Sequence, residues 1–174
     1  DLNNWSGTAC GPGGVTTLAN ALAVSCNTAF ASIGLDLGDD ALRAQAEKFG
    51  FGTSFEVPLR AATSRFPRDP DAPQTAMSAI GQSDVRMTTL QNAMVAATVS
   101  NGGVRMEPQL IKSLTAPDLS LVQAFTPRDA GRALTDEQAG TLTELMVGAE
   151  ANAGGGLSGV TIASKTGTAE HGVD

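Results

Sequence analysis

The 174 residues are 41% hydrophobic and carry a formal charge of −7, enough apolar material for one globular core and too acidic a balance for a phosphate-backbone binder. Nucleic acid is excluded as a partner on charge, no apolar run approaches the ~20 residues needed to span a bilayer, and Asp1-Leu2-Asn3-Asn4 lacks a charged-then-apolar signal segment. The chain as given reads as soluble. Twenty glycines, no tyrosine and 4% aromatics favour helices packed through small residues.

Residues 3–14 are polar and rich in Gly and Pro, a loop, after which Val15 to Val24 has apolar residues at helical spacing. Asn27 or Thr28 caps a second helix through Leu35. Asp39 or Asp40 caps a third, with Leu42, Ala46 and Phe49 on one face and Gly50 as its end. From Gly52 to Gln74 the repeated prolines predict an extended surface connection. The most regular helix runs from Thr88, a cap, to Ser100, and stops at Asn101-Gly102-Gly103. Gln109 to Leu114 and Leu119 to Phe125 read as short extended segments. Thr135-Asp136-Glu137-Gln138 is a capping box before a helix with Leu142, Leu145, Met146 and Ala149 on its apolar face, and Val160 to Thr168 reads as a strand. A single regular strand among several helices needs hydrogen-bonding partners from elsewhere. The chain is therefore expected to be part of a larger sheet-containing domain.

Chemistry concentrates in Lys165-Thr166-Gly167-Thr168: a cation, two hydroxyls and a glycine on or beside a strand suit a carboxylate-bearing, extended peptide. Gly159 to Thr166 matches a phosphate-binding loop except at Ser164, where that loop needs glycine, and its Val-Thr-Ile-Ala spacer prefers to be strand. Nucleotide binding is thus the weaker alternative. Ser25-Cys26-Asn27 lies at the junction of two predicted helices, where serine at a helix end and asparagine as the next cap is an equally good structural explanation. His171, the single histidine, has no Cys or His at ligand spacing, so neither a metal nor any other cofactor is expected. Cys10 and Cys26, taken alone, are either buried small hydrophobes or a pair.

Ser-x-Asn followed by Lys-Thr-Gly is two thirds of the serine acyl-enzyme pattern of penicillin-binding proteins and serine β-lactamases. With Val24 to Phe30, Ser78-Ala79-Ile80-Gly81-Gln82, Val85, Thr88-Thr89-Leu90-Gln91, Asn101-Gly102-Gly103, Glu144-Leu145-Met146 and Ala163 to His171, the chain resembles the transpeptidase domain of class B penicillin-binding proteins, in particular the actinobacterial penicillin-binding protein A type. Thr89 stands where the wider family often has proline. The resemblance implies an α+β fold of the penicillin-binding and serine β-lactamase type, a helical subdomain plus an antiparallel sheet, here mostly the helical part with the Lys-Thr-Gly strand. It implies a D,D-transpeptidase acting on peptidoglycan stem peptides ending in D-Ala-D-Ala, acylated by β-lactam antibiotics. Cell-division or elongation proteins are further candidate partners. The implied location is the extracytoplasmic face of the bacterial membrane, with an N-terminal anchor outside this sequence. In that family Ser25 would relay a proton, Asn27 would bond the nucleophile's lysine and the substrate amide, and Lys165 would supply positive potential. Thr166 and Thr168 would hold the carboxylate beside Gly167, and the Thr168 N–H would serve the oxyanion hole. An extracytoplasmic family also implies a Cys10–Cys26 disulfide. The family's nucleophile lies in S-x-x-K, which this sequence lacks: Gln45, Gln109 and Ile162 stand three before Lys48, Lys112 and Lys165. The expectation is a fragment of residues 1–174, inactive alone, of a transpeptidase domain; a non-catalytic carboxylate- or peptide-binding module and a β-lactamase-related hydrolase are the alternatives.

Overall fold

Thr17 sets the start of the first helix, because its side-chain oxygen accepts from the Asn20 N–H at 3.2 Å, satisfying one of the free donors of a first turn. The structure, a computed structural model, describes residues 2–4 and 7–167. Helix α1 spans Leu18–Ala23 and not Val15 to Val24: Val15 is extended behind a 3-10 turn at Pro12–Gly14. The described chain divides into two compact units, one built from the segments up to Leu42, Pro67–Val85 and from Gly140 onward, the other from Arg43–Phe66 and Arg86–Ala139.

In the first unit, α1 ends in a turn whose bonds run from Cys26 N to Ala21 O at 2.8 Å and from Ser25 N to Leu22 O at 3.2 Å. That is the Schellman pairing, which needs a left-handed residue at the position Ser25 occupies. Ser25 has φ 54° there. Cys26 closes the turn, is 2% exposed like its partner Ala21, and forms a disulfide with Cys10. Helix α2 (Asn27–Leu37) follows at once. Neither Asn27 nor Thr28 caps it as the sequence predicted; Asn4 Oδ1 accepts from Thr28 N at 3.0 Å and Thr28 Oγ1 at 3.1 Å, a cap delivered from 24 residues away. The helix also passes Leu35 and ends at Gly38, φ 79°.

Helix α3 (Asp39–Lys48) has its acids in the first turn and Lys48 in the last, as the helix dipole favours. Helix α4 (Ala72–Ala79) lies partly where the sequence predicted an extended connection. Asp71 and Gln74 form a reciprocal capping box, 2.8 Å from Gln74 N to Asp71 Oδ1 and 3.0 Å from Asp71 N to Gln74 Oε1, and Pro73 is harmless in a first turn. Helices α2 and α4 meet at Gly34, where a Cβ would collide with that of Ala79. Small-residue packing is thus realised at this crossing.

The second unit centres on α5 (Thr89–Ser100), capped by Thr88, whose hydroxyl accepts from Gln91 N at 3.1 Å. Gln91 and Thr98 are fully buried, and each spends a donor on a carbonyl, Phe49 O at 2.7 Å and Met94 O at 2.7 Å; buried polar groups need such partners. Strand β1 (Val104–Met106) pairs antiparallel with β4 (Asp129–Arg132), and β2 (Ser113–Thr115) with β3 (Leu121–Ala124). The sequence anticipated extended segments at Gln109 to Leu114 and Leu119 to Phe125, beside β2 and over β3, and neither strand of the first pair. Helix α6 (Asp136–Ala153) begins with the predicted box: Thr135 N donates to Gln138 Oε1 at 2.9 Å and Gln138 N to Thr135 Oγ1 at 3.1 Å.

Residues 161–167 form no strand. The predicted strand from Val160 is corrected here for a physical reason: a strand requires a ladder partner, and among the described residues the segment has only a Leu157–Val160 bridge and a bond from Ser164 N to Met146 O at 3.3 Å.

Candidate active site

Ser25 and Lys165, 140 residues apart, meet in the first unit: the Lys165 ammonium donates a short hydrogen bond to Ser25 Oγ. It also donates to Thr166 O at 2.8 Å and to Thr166 Oγ1 at 3.2 Å. Partial burial lowers the Lys165 pKa from its ordinary value, since desolvation disfavours the charged form. The left-handed backbone at Ser25 turns its exposed hydroxyl out of the α1–α2 junction, while Cys26 behind it is buried. A non-glycine residue held at positive φ is strained by roughly 1 kcal/mol or more. Here the Schellman bonds and the Cys10–Cys26 link hold it there.

Asn27 is the first residue of α2, half-buried, two positions from Ser25. Gly167 and Thr166 are exposed beside Lys165. Thr168 and His171, both named from the sequence, lie outside the described residues. The phosphate-loop alternative loses its geometry: Ser164 N is committed to Met146 O and its hydroxyl to Glu150 Oε2, so neither points at an anion as a cradling loop requires. Among the described residues no group of three His, Cys, Asp or Glu is placed to hold a metal, and no helix is long and apolar enough to cross a membrane.

Two residues that sequence reasoning missed touch this arrangement. Asn152 Nδ2 donates to Ala23 O at 3.0 Å, and Glu150 accepts from Ser164. Neither belongs to a motif, and the first contact spans 129 positions, so no local signal could reveal it. Chemically, an ammonium donating to an exposed hydroxyl leaves that hydroxyl's own proton free for a third group. The ammonium and the threonine hydroxyl beside it are donors of the kind that hold an anion.

The family model for the penicillin binding protein transpeptidase domain matches residues 1–174. The chain is 49% identical over 176 residues to the peptidoglycan D,D-transpeptidase PbpA of Mycolicibacterium smegmatis, covering 99% of this chain and 36% of that protein. It is 46% identical over 176 residues to PbpA of Mycobacterium tuberculosis strain H37Rv, with the same coverage of 99% and 36%. Penicillin-binding protein A from M. tuberculosis, solved as an imipenem acyl-enzyme complex, superposes with a TM-score of 0.94 at 44% identity, over 98% of this chain and 40% of that one. The D,D-transpeptidase domain of a peptidoglycan glycosyltransferase from Eggerthella lenta gives 0.83 at 30% identity, over 89% and 42%. The chain therefore spans well under half the length of these relatives. The α+β class expected from the sequence is the class of these neighbours. By model, identity and fold alike, the chain belongs to the penicillin-binding protein transpeptidase family.

Proposed function

We propose that these 174 residues are part of a D,D-transpeptidase that cross-links peptidoglycan stem peptides through a serine acyl-enzyme and is acylated by β-lactams. The observation that carries the reading is the Lys165–Ser25 contact, which joins the Lys-Thr-Gly and Ser-x-Asn segments at one point. Relatives named peptidoglycan D,D-transpeptidase and a neighbour solved with imipenem as an acyl-enzyme support it.

The attacking serine belongs to an S-x-x-K segment absent from this sequence; the groups present do the remaining work. As the acyl bond forms, the C–N bond to the departing D-Ala breaks and the nitrogen needs a proton. Ser25 donates its own and takes one from Lys165, along the hydrogen bond the structure contains. Asn27 bonds the substrate amide and the lysine of S-x-x-K. On this reading Thr166, Gly167 and Thr168 serve the bound chain, the hydroxyls and the Lys165 charge holding the terminal carboxylate, and the Thr168 N–H is assigned to the oxyanion hole, where losing one donor costs about 100- to 1,000-fold. The work is done at the extracytoplasmic face, by a membrane-anchored parent that meets D-Ala-D-Ala peptides and cell-division or elongation proteins there.

The test is labelling of the full-length protein by fluorescent penicillin. Wild type forms a stable adduct, and Lys165→Ala reduces the acylation rate on the order of 10- to 100-fold, the worth of a charged hydrogen bond. Unchanged labelling in the variant removes Lys165 from this role; rapid turnover in place of a trapped adduct makes the protein a hydrolase, and reversible peptide binding without an adduct makes it a binding module.

A further inference from the structure

Ser25 and Lys165 sit on segments that have no direct backbone tie: among the described residues no backbone hydrogen bond joins 24–27 to 161–167. Something else must fix their separation, and the last turns of α6 touch both sides. Asn152 donates to Ala23 O at 3.0 Å. That carbonyl belongs to the final turn of α1, where intrahelical partners run out, and it lies two residues before Ser25. On the same helix end, Glu150 Oε2 accepts from the hydroxyl of Ser164, the residue preceding Lys165. Met146 O, one helical turn earlier, accepts from Ser164 N at 3.3 Å. Gly155 completes the arrangement, since a Cβ there would run into Glu150 Oε1; the chain leaves α6 without a side chain where the carboxylate needs room. Ala149, between these contacts, is 4% exposed, so this stretch of helix is anchored in the core.

We propose that Glu150 and Asn152 are positioning residues, through which the end of α6 sets the reach between Lys165 and Ser25. Asn152 holds the carbonyl end of α1, and with it the turn that presents the Ser25 hydroxyl. Glu150 holds Ser164, and with it the direction in which Lys165 leaves the chain. The inference rests on the reading of Ser25 and Lys165 as proton relay and carboxylate anchor. Because Glu150 acts on Lys165, which both anchors the carboxylate and feeds the relay, and Asn152 acts on the relay alone, only Glu150 variants discriminate between a probe with a carboxylate and one without.

The experiment measures acylation rate constants of the full-length protein with penicillin and with its methyl ester, which lacks the carboxylate, alongside melting temperatures. Glu150→Ala slows penicillin about 10-fold or more, as a misplaced group of this kind does, and the ester by a factor at least about 3-fold smaller, the ester losing only the relay share of Lys165; Glu150→Gln, which keeps an acceptor oxygen, restores most of the rate. Ser164→Ala, a smaller change that removes the other partner, reproduces the Glu150→Ala pattern. Asn152→Ala slows both probes alike. In double variants, Glu150→Ala adds less than about 2-fold to Lys165→Ala, and Asn152→Ala less than about 2-fold to Ser25→Ala, the non-additivity of groups acting through one another. Rates within about 2-fold of wild type for Glu150→Ala, Ser164→Ala and Asn152→Ala overturn the inference while leaving the transpeptidase reading intact; so do losses that add in full in the double variants. A wild-type protein that neither probe acylates overturns the transpeptidase reading, and this inference with it.

Discussion

Lys165 is charged in ordinary solution, and its surroundings weaken that charge. Partial burial lowers its pKa, so as pH rises the neutral amine becomes significant earlier than for a free lysine. A neutral amine neither attracts a carboxylate nor hands a proton to Ser25. The rate of penicillin acylation by the parent is therefore expected to fall on the alkaline side below the pH at which an unperturbed lysine titrates. Lys165→Arg, which stays charged throughout, moves that fall to higher pH even where its bulkier head lowers the maximum rate. A pH–rate profile checks this, and an identical alkaline limb in both proteins assigns the titration to another group.

Helices α5 and α6 were legible because their caps are local. Thr88 and the Thr135–Gln138 box act across three residues, the range over which a sequence pattern and a hydrogen bond coincide. Helix α4 carries the same signal in Asp71-Ala72-Pro73-Gln74, hidden by a proline that reads as a breaker although a first-turn proline loses no helical bond. Asp71→Ala is expected to destabilise the parent by about 1 kcal/mol, with Asp71→Asn close to wild type, measured by denaturant unfolding. The pairs that sequence reading could not supply are long-range. Strand β1 meets β4 across more than twenty residues, α2 takes its cap from Asn4, and the Lys165 segment finds no ladder partner among the described residues. Ser25, Asn27 and Lys165 were recognisable by motif, whereas Glu150 and Asn152 are known only by what they touch.

The whole chain holds two of three acyl-transfer motifs, and it covers 36% of its PbpA relatives. Proximity in such a site is worth several powers of ten, and no arrangement of relay and anchor substitutes for a missing nucleophile. The 174 residues by themselves are accordingly expected to show no covalent penicillin adduct by intact-mass spectrometry, at penicillin concentrations that label the full-length protein completely. An adduct on these residues alone would place the nucleophile among serines to which the present reading gives other roles.

The left-handed turn at Ser25 sets protein durability against chemistry. Ser25→Gly and Ser25→Ala both delete the hydroxyl, yet only glycine enters that backbone region without a Cβ penalty, which favours the glycine protein by roughly 1 kcal/mol in melting experiments. A screen that rewards heat resistance would drift toward glycine at this position and discard the relay. On the proposed reading, sturdiness gained at residue 25 is acyl transfer given up.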